Sequence, residues 1–190
     1  MTPSRAYLLF VLVAVVLSLL ERAYAAANER RILREGGEEI APWVFRLMVP
    51  IYVLIFVVAP TEQAMRGRLP PAGMVIAMGG LFLAAKGLKL WAVLHLGRSW
   101  AMRVVLPRSF HVVSSGPYRY VRHPNYVAVV AEILALPLAG GAWITALAGA
   151  ALFAPLLVCR VKSEEEALMR KPEYAALMGA KSRFLPGAGG

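Results

Sequence analysis

Twelve consecutive residues, Ser115-Gly116-Pro117-Tyr118-Arg119-Tyr120-Val121-Arg122-His123-Pro124-Asn125-Tyr126, concentrate two arginines, a histidine and three tyrosines. His123-Pro124 should set a turn just before a helix, because proline suits the first helical position and the residue before it avoids the helical region. The free N–H groups of such a start can receive an anion or a carboxylate. A plainer reading of the same residues is an interfacial belt, since Tyr and Arg favour the headgroup level of a bilayer. A second cluster, Glu164-Glu165-Glu166, directly follows an apolar run. Acids there oppose a helix dipole, so they either begin a new helix or have cationic partners, and the arginine-rich stretch could supply them. Apart from Glu21 near the end of the first run, Glu132 is the only acid inside an apolar span, which makes it either a functional group or one half of a structural pair with Lys86, Lys89 or Arg46. The three histidines, His95, His111 and His123, have no metal-ligand spacing, and no metal is expected.

The elements that must position these groups are membrane helices. Of 190 residues, 59% are hydrophobic and 17% charged, with a mean hydropathy of +0.61, against about half apolar and a quarter charged in a soluble domain. That apolar content excludes intrinsic disorder, and the single Cys159 excludes a disulfide scaffold. A net charge of +10 on so hydrophobic a chain disfavours a nucleic-acid reader. Five apolar runs approach spanning length: 6–27, 42–59, 72–96, 126–139 and 142–161, the fourth being short for the task. Proline closes the second run at Pro60. Gly140-Gly141 leaves so short a turn between the last two that they should form an antiparallel hairpin.

The expected fold is therefore one all-α, polytopic domain over residues 1–190. Residues 1–96 would supply three spans, and 97–190 the polar loop, the hairpin and the tail. Fifteen of the 21 Lys and Arg fall in the loops after the first and third spans and in the tail, whereas Arg5, Arg66 and Arg68 fall on the opposite side. By the positive-inside rule the rich side is cytoplasmic and the N-terminus lies outside. Ala23-Tyr24-Ala25 offers a signal-peptide-like cleavage point, but the run before it extends to spanning length, which favours a retained helix. Lys86 and Lys89 are expected to snorkel to the surface, and Trp43, Trp100 and Trp143 to anchor the interface.

Taken in order, Gly116-Pro117-Tyr118, Arg122-His123-Pro124-Asn125-Tyr126, Glu164-Glu165 with Leu168, Tyr174, and Arg183-Phe184-Leu185-Pro186 resemble the membrane methyltransferases related to isoprenylcysteine carboxyl methyltransferase and the phospholipid methyltransferases. The resemblance covers roughly residues 94–187. It implies a helical membrane enzyme that uses S-adenosyl-L-methionine, enclosed between the Arg-His-Pro and Glu-Glu segments. Tyr118, Arg122, His123, Pro124, Tyr126, Glu164 and Glu165 are the cofactor positions it implies, with Arg122, Glu132 and Glu165 as candidate catalytic residues. The chain departs from the family at Ala128, where glycine is common, and in a shorter connection between Leu168 and Tyr174. A cationic sulfonium with a carboxylate and an ammonium suits such a site: Arg122, His123 and helix-start N–H groups for the carboxylate, Glu164 or Glu165 for the ammonium or ribose.

The implied partner is a lipophilic or prenylated acceptor arriving from the bilayer of a bacterial cytoplasmic membrane, with membrane lipids around the protein and no nucleic acid. Three acceptor chemistries compete: a prenylcysteine-like carboxylate, a long-chain alkylpyrone or alkylresorcinol hydroxyl, and a phospholipid amine. If Glu132 faces the acceptor it would repel a carboxylate and favour a group that must lose a proton. From another class, the chain could be a non-catalytic membrane scaffold, which would have no use for polar residues converging at one mouth.

Overall fold

Proline opens three of the helices at the first helical position, where its missing N–H costs nothing: Pro42, Pro124 and Pro172. A computed structural model describes residues 3–109 and 111–187. Its elements are α1 (Pro3–Arg34), β1 (Glu38–Glu39), α2 (Pro42–Arg66), α3 (Ala72–Leu96), β2 (Val105–Leu106), α4 (Pro124–Ala139), α5 (Trp143–Met169) and α6 (Pro172–Met178). Short 3-10 turns lie at Gly97–Ser99 and Gly116–Arg119. The two strands pair antiparallel, Glu38 opposite Leu106 and Glu39 opposite Val105.

The all-helical expectation holds, with the ends of α1, α2 and α5 displaced; α5 runs to Met169, past the expected end near residue 161, so Glu164-Glu165-Glu166 lie within it. α1 continues through Ala23-Tyr24-Ala25 to Arg34, past the expected end near Ala27, because its polar last turns have partners: Asn28 Nδ2 donates to the Trp100 carbonyl at 2.8 Å. α2 does not stop at Pro60 but runs to Arg66. In an apolar medium unbonded backbone is costly, so continuing the helix past one missing donor is the cheaper course. Thr61 Oγ1 also donates to the Val57 carbonyl at 2.8 Å. The helix ends only at Gly67, in the left-handed region at φ 69°, whose N–H closes back on Gln63 and Ala64.

Among the described residues four helices are long and apolar enough to cross a membrane: α1, α2, α3 with the turn after it, and α5. The fifth expected span, α4, has 16 residues, about 24 Å of helix against the ~30 Å of a hydrocarbon core. It packs on α3 along its length and forms the hairpin with α5, which in turn packs on α2. The core between them gathers Val44, Ile55, Phe82, Ile133, Leu136 and Phe153. At Gly149 a Cβ would come within 2.9 Å of Ile55 Cδ1, so glycine is what lets α5 approach α2 so closely. At the end of α4 Gly140 N turns to the Pro137 carbonyl, which leaves the Leu136 carbonyl in need of a donor, and the Tyr7 hydroxyl of α1 supplies it at 3.1 Å. Leu9, Leu19, Leu54, Val57, Leu83, Leu94, Leu147 and Leu152 face outward, an apolar belt of the kind a bilayer covers.

Each end of the bundle is pinned by buried polar contacts. At one, Glu62 of α2 caps α5 from another helix, accepting from the backbone N–H of Ile144 (3.1 Å) and Thr145 (2.8 Å) and from Thr145 Oγ1 (2.7 Å). Glu62→Ala should leave those donors bare and destabilise the protein by about 1.5–3 kcal/mol, read as a lowered thermal midpoint in detergent; Glu62→Gln should fall between. At the other end, Glu29 on α1, fully buried, accepts from Met102 N (3.0 Å), Arg103 N (2.9 Å), Arg103 Nε (2.9 Å) and Arg22 (2.8 Å). Arg103 also reaches Glu39 at 2.9 Å. The 97–106 loop is thereby fastened to α1 and held as a wall.

Candidate active site

That wall encloses a cavity with the start of α4, the end of α5, and α6. It contains about 950 Å³ of space between atoms, open solvent at its mouth included. Tyr118, Arg122, His123, Tyr126 and Glu164, five of the seven expected cofactor positions, line it.

The motif residues reach this place for local reasons. Gly116 sits at φ 57°, and a Cβ there would strike the His95 ring, so the turn that presents Pro117-Tyr118 needs glycine. Tyr118 and Tyr174 are both buried against the cavity. Burial pushes both phenols up, and the Glu164 carboxylate raises them further, so each stays protonated and able to donate. Pro124 opens α4, is fully buried and lies outside the lining. The helix start is a smaller anion cradle than expected, because Tyr126 N and Val127 N both turn back to the His123 carbonyl. Ala128, the position where glycine was expected, is fully buried and does not reach the cavity.

Glu165 is set behind the lining. Its Oε1 receives His123 Nε2 at 2.9 Å and lies 3.5 Å from Arg122 Nε, while Oε2 accepts from Arg183 Nε at 2.9 Å. The expected meeting of the Arg-His and Glu-Glu segments is therefore present, with Glu165 holding the histidine and arginine and Glu164 facing inward. The tail joins them: Arg122 N donates to the Ser182 carbonyl (3.0 Å), His123 N to that of Arg183 (2.9 Å), and Lys181 Nζ to that of Tyr118 (2.8 Å). The His123 ring stacks on Tyr126 at 5.2 Å and lies 6.0 Å from Phe184.

Glu132 lies elsewhere. Its carboxylate is buried among α2, α3 and α4, with Lys89 Nζ at 2.7 Å, the Tyr52 hydroxyl at 2.7 Å and Lys86 Nζ at 3.3 Å. Both lysines also pair with Glu21 of α1, Lys86 at 2.8 Å and Lys89 at 3.2 Å. The structural-pair alternative is thus the one the geometry displays, and the cavity lining does not include Glu132. The lysines do not snorkel as expected, because two carboxylates within reach offer better solvation than a surface a helix turn or more away. Trp100 is likewise no interface anchor: it is buried, stacked on Tyr24 at 6.0 Å, and part of the lining.

Sequence reasoning missed Trp100, Asn125 and Arg160 as lining residues. A signal existed for Arg160, which precedes Glu164 by four residues and so shares its helix face. None existed for Trp100, whose position depends on the loop. Arg160 Nε donates to the Tyr126 hydroxyl at 2.7 Å, Tyr126 donates to Glu164, and another Arg160 nitrogen donates to the Met102 carbonyl. Three buried polar atoms of lining residues lack a hydrogen bond among the described residues: Trp100 Nε1, Arg122 Nε and Asn125 Oδ1. Buried polar atoms are almost always satisfied, which sets Trp100 Nε1 and Asn125 Oδ1 apart, whereas Arg122 Nε has Glu165 at 3.5 Å.

Known proteins resemble this chain over much of its length. A protein of Bacillus subtilis described as Uncharacterized protein YpbQ is 26% identical over 160 residues, which is 84% of this chain and 95% of that protein. An uncharacterized protein of Haemophilus influenzae is 28% identical over 89 residues, 46% of this chain and 52% of that one. The sequence model of the isoprenylcysteine carboxyl methyltransferase (ICMT) family matches residues 75–170, half of the chain, from α3 through α4 to the Glu-Glu end of α5. The chain belongs to the isoprenylcysteine carboxyl methyltransferase family.

Proposed function

We propose that the protein transfers a methyl group from S-adenosyl-L-methionine to a lipophilic acceptor, as an isoprenylcysteine carboxyl O-methyltransferase-like enzyme of a bacterial cytoplasmic membrane. The observation that carries this reading is one cavity where the Arg122-His123 and Glu164-Glu165 segments meet, with Trp100 Nε1 and Asn125 Oδ1 buried there without a hydrogen bond among the described residues and Arg122 Nε 3.5 Å from Glu165. Two donors and an acceptor there suit a zwitterionic amino-acid end with an adjoining nucleoside. Family membership and the apolar outer belt support the same reading.

When bound, the cofactor supplies an electrophilic methyl on a cationic sulfur. The chain's own residues do the rest. Glu165 holds His123 and Arg122 in place, and Glu164, Tyr118 and Tyr174 offer an acceptor and two donors at the wall. The Glu29-anchored loop and α6 exclude water, which strengthens every electrostatic contact inside. Positioning of this kind contributes most where reacting groups must be collinear, and several kcal/mol can come from it alone. The lysine- and arginine-rich loops at the cavity end support a cytoplasmic site with the N-terminus outside, by the positive-inside rule. The hydrophobic part of the acceptor would lie among the helices. An alkylpyrone or alkylresorcinol hydroxyl would use the same geometry.

Calorimetric titration of S-adenosylhomocysteine into the detergent-purified protein tests this. Micromolar binding is expected, weakened about tenfold by Asn125→Ala, the effect of losing one buried hydrogen bond. Absence of binding by the unaltered folded protein would leave the membrane-scaffold reading in its place.

A further inference from the structure

Asn28 and Glu29, adjacent on α1, hold the backbone of the loop that follows α3. Asn28 Nδ2 donates to the carbonyls of Gly97 (3.3 Å) and Trp100 (2.8 Å), and Glu29 Oε1 accepts from the N–H groups of Met102 (3.0 Å) and Arg103 (2.9 Å). The Glu29 carboxylate is fully buried. The peptide group that carries the Arg103 N–H has the Met102 carbonyl on its other side, and that carbonyl accepts from a terminal nitrogen of Arg160. N–H and C=O of one trans peptide point in opposite directions. A single peptide therefore stands between a carboxylate at its N–H end and a guanidinium at its C=O end, the orientation that suits its dipole at both ends.

Arg160 continues this chain into the site. Its Nε donates to the Tyr126 hydroxyl at 2.7 Å, and that hydroxyl donates to Glu164. Arg160, Tyr126 and Glu164 all line the cavity, whereas Glu29 stands behind it. The guanidinium is thus held at Nε and at one terminal nitrogen, between two carboxylates that are each one group away. Hydrogen bonds linked in series polarise one another, and buried ones act more strongly than those in water. Glu29 also lies outside residues 75–170, the segment that matches the family, so α1 brings to the cavity something that segment does not contain.

Resting on the methyltransferase reading above, we propose that Glu29 is a positioning residue for methyl transfer: through the Met102–Arg103 peptide it fixes the Arg160 guanidinium, and through Arg160 the Tyr126 and Glu164 side chains at the cavity wall. Arg22 at 2.8 Å and Arg103 Nε at 2.9 Å both bind Oε2, which leaves Oε1 to the loop backbone. Without Oε1 the two loop N–H groups must find other partners, and the peptide is free to turn its carbonyl away from Arg160. A misplacement of about 1 Å from a change remote from the chemistry can lower a rate about 100-fold, so a contact behind the wall can govern the rate.

The test uses protein with isotope-labelled arginine in a non-ionic detergent, saturated with S-adenosylhomocysteine, the Arg160 Nε–H resonance being identified by its loss in Arg160→Lys. In the unaltered protein that proton should exchange with water at least about 100-fold more slowly than that of Arg30, which is exposed. Glu29→Leu, which removes the acceptor, should speed the exchange about tenfold or more, and Glu29→Gln, which keeps one oxygen, should lie between. Glu62→Gln, which weakens the opposite end of the bundle, should leave it within about twofold. Initial rates of labelled methyl transfer from S-adenosyl-L-methionine to extracted membrane lipids, taken below the thermal transition of every variant, should follow the same order, with about a tenfold loss in Glu29→Leu. A contact that only stabilises would lower the thermal midpoint and move neither readout. Rapid exchange of the Arg160 proton in the unaltered protein overturns the assignment without need of any variant. So does an exchange or transfer rate that Glu29→Leu leaves unchanged; should Glu29→Leu not fold, Glu29→Gln decides the same comparison. If S-adenosylhomocysteine does not bind the unaltered protein, the methyltransferase reading fails and this assignment with it; binding and transfer that are indifferent to Glu29 sink the Glu29 role alone.

Discussion

Glu132→Ala is expected to destabilise the protein by about 3–5 kcal/mol, the usual cost of removing one partner from a buried charge pair. The change would strip Lys89, itself 3% exposed, of its 2.7 Å carboxylate and leave it Glu21 at 3.2 Å, a partner it must share with Lys86. It would also take from the Tyr52 hydroxyl its 2.7 Å acceptor. Thermal unfolding in detergent, followed by circular dichroism, measures the loss. Replacing both members, Glu132→Met with Lys89→Met, should cost less than Glu132→Ala, because no charge is left unpaired and the Lys86–Glu21 pair survives at 2.8 Å. An equal or greater loss in the double variant would show that the network is not held by that pairing. If the protein that remains folded methylates at the ordinary rate, Glu132 acts through stability; a lost rate in a stable variant would return it to the acceptor.

The second large effect belongs to Glu165. Glu165→Ala removes the acceptor for His123 Nε2 and for Arg183 Nε at once and leaves Arg122 without its carboxylate. The tail would lose one of its ties to the cavity while keeping the backbone bonds from Arg122 and His123 to residues 182 and 183. S-adenosylhomocysteine affinity should fall about 100-fold, in line with the worth of a charged buried hydrogen bond, and methyl transfer to extracted membrane lipids should fall at least as far. Glu165→Gln keeps the size and one acceptor oxygen but not the charge, and should lie between. Unchanged affinity in a folded Glu165→Ala protein would mean that His123 and Arg122 are positioned by the backbone contacts alone.

Much of this site was legible from residue types. The Arg122-His123 and Glu164-Glu165 segments were expected to converge, since a short turn at Gly140-Gly141 makes the hairpin return to the side it left. They do converge, although the two glutamates divide the work: Glu164 faces the cavity and Glu165 holds the residues behind it. Periodicity alone could not separate them, because adjacent residues on one helix point about 100° apart and only the neighbouring loop says which direction is inward. Pro60 was misleading for the opposite reason. Proline marks a helix end where water can take over the freed backbone groups, and an apolar surrounding withholds that option.

What the sequence by itself determined is whatever depends on short range or on solvent: helix-length apolar runs, proline at helix starts, glycine at the hairpin turn, and the side of the bundle on which the cations gather. Each follows from local backbone geometry or from the cost of placing charge in hydrocarbon. What only the tertiary structure decided is the pairing of polar groups far apart in the chain. Glu29 with Arg103, Glu62 with the start of α5, and Glu132 with Lys86 and Lys89 are separated by 43 to 83 residues. Several acids and cations could have been matched in other ways with equal charge balance. Electrostatic attraction is indifferent to sequence separation, so the choice among them rests on which helices pack side by side, and that is settled by the shape of apolar surfaces such as Gly149 against Ile55.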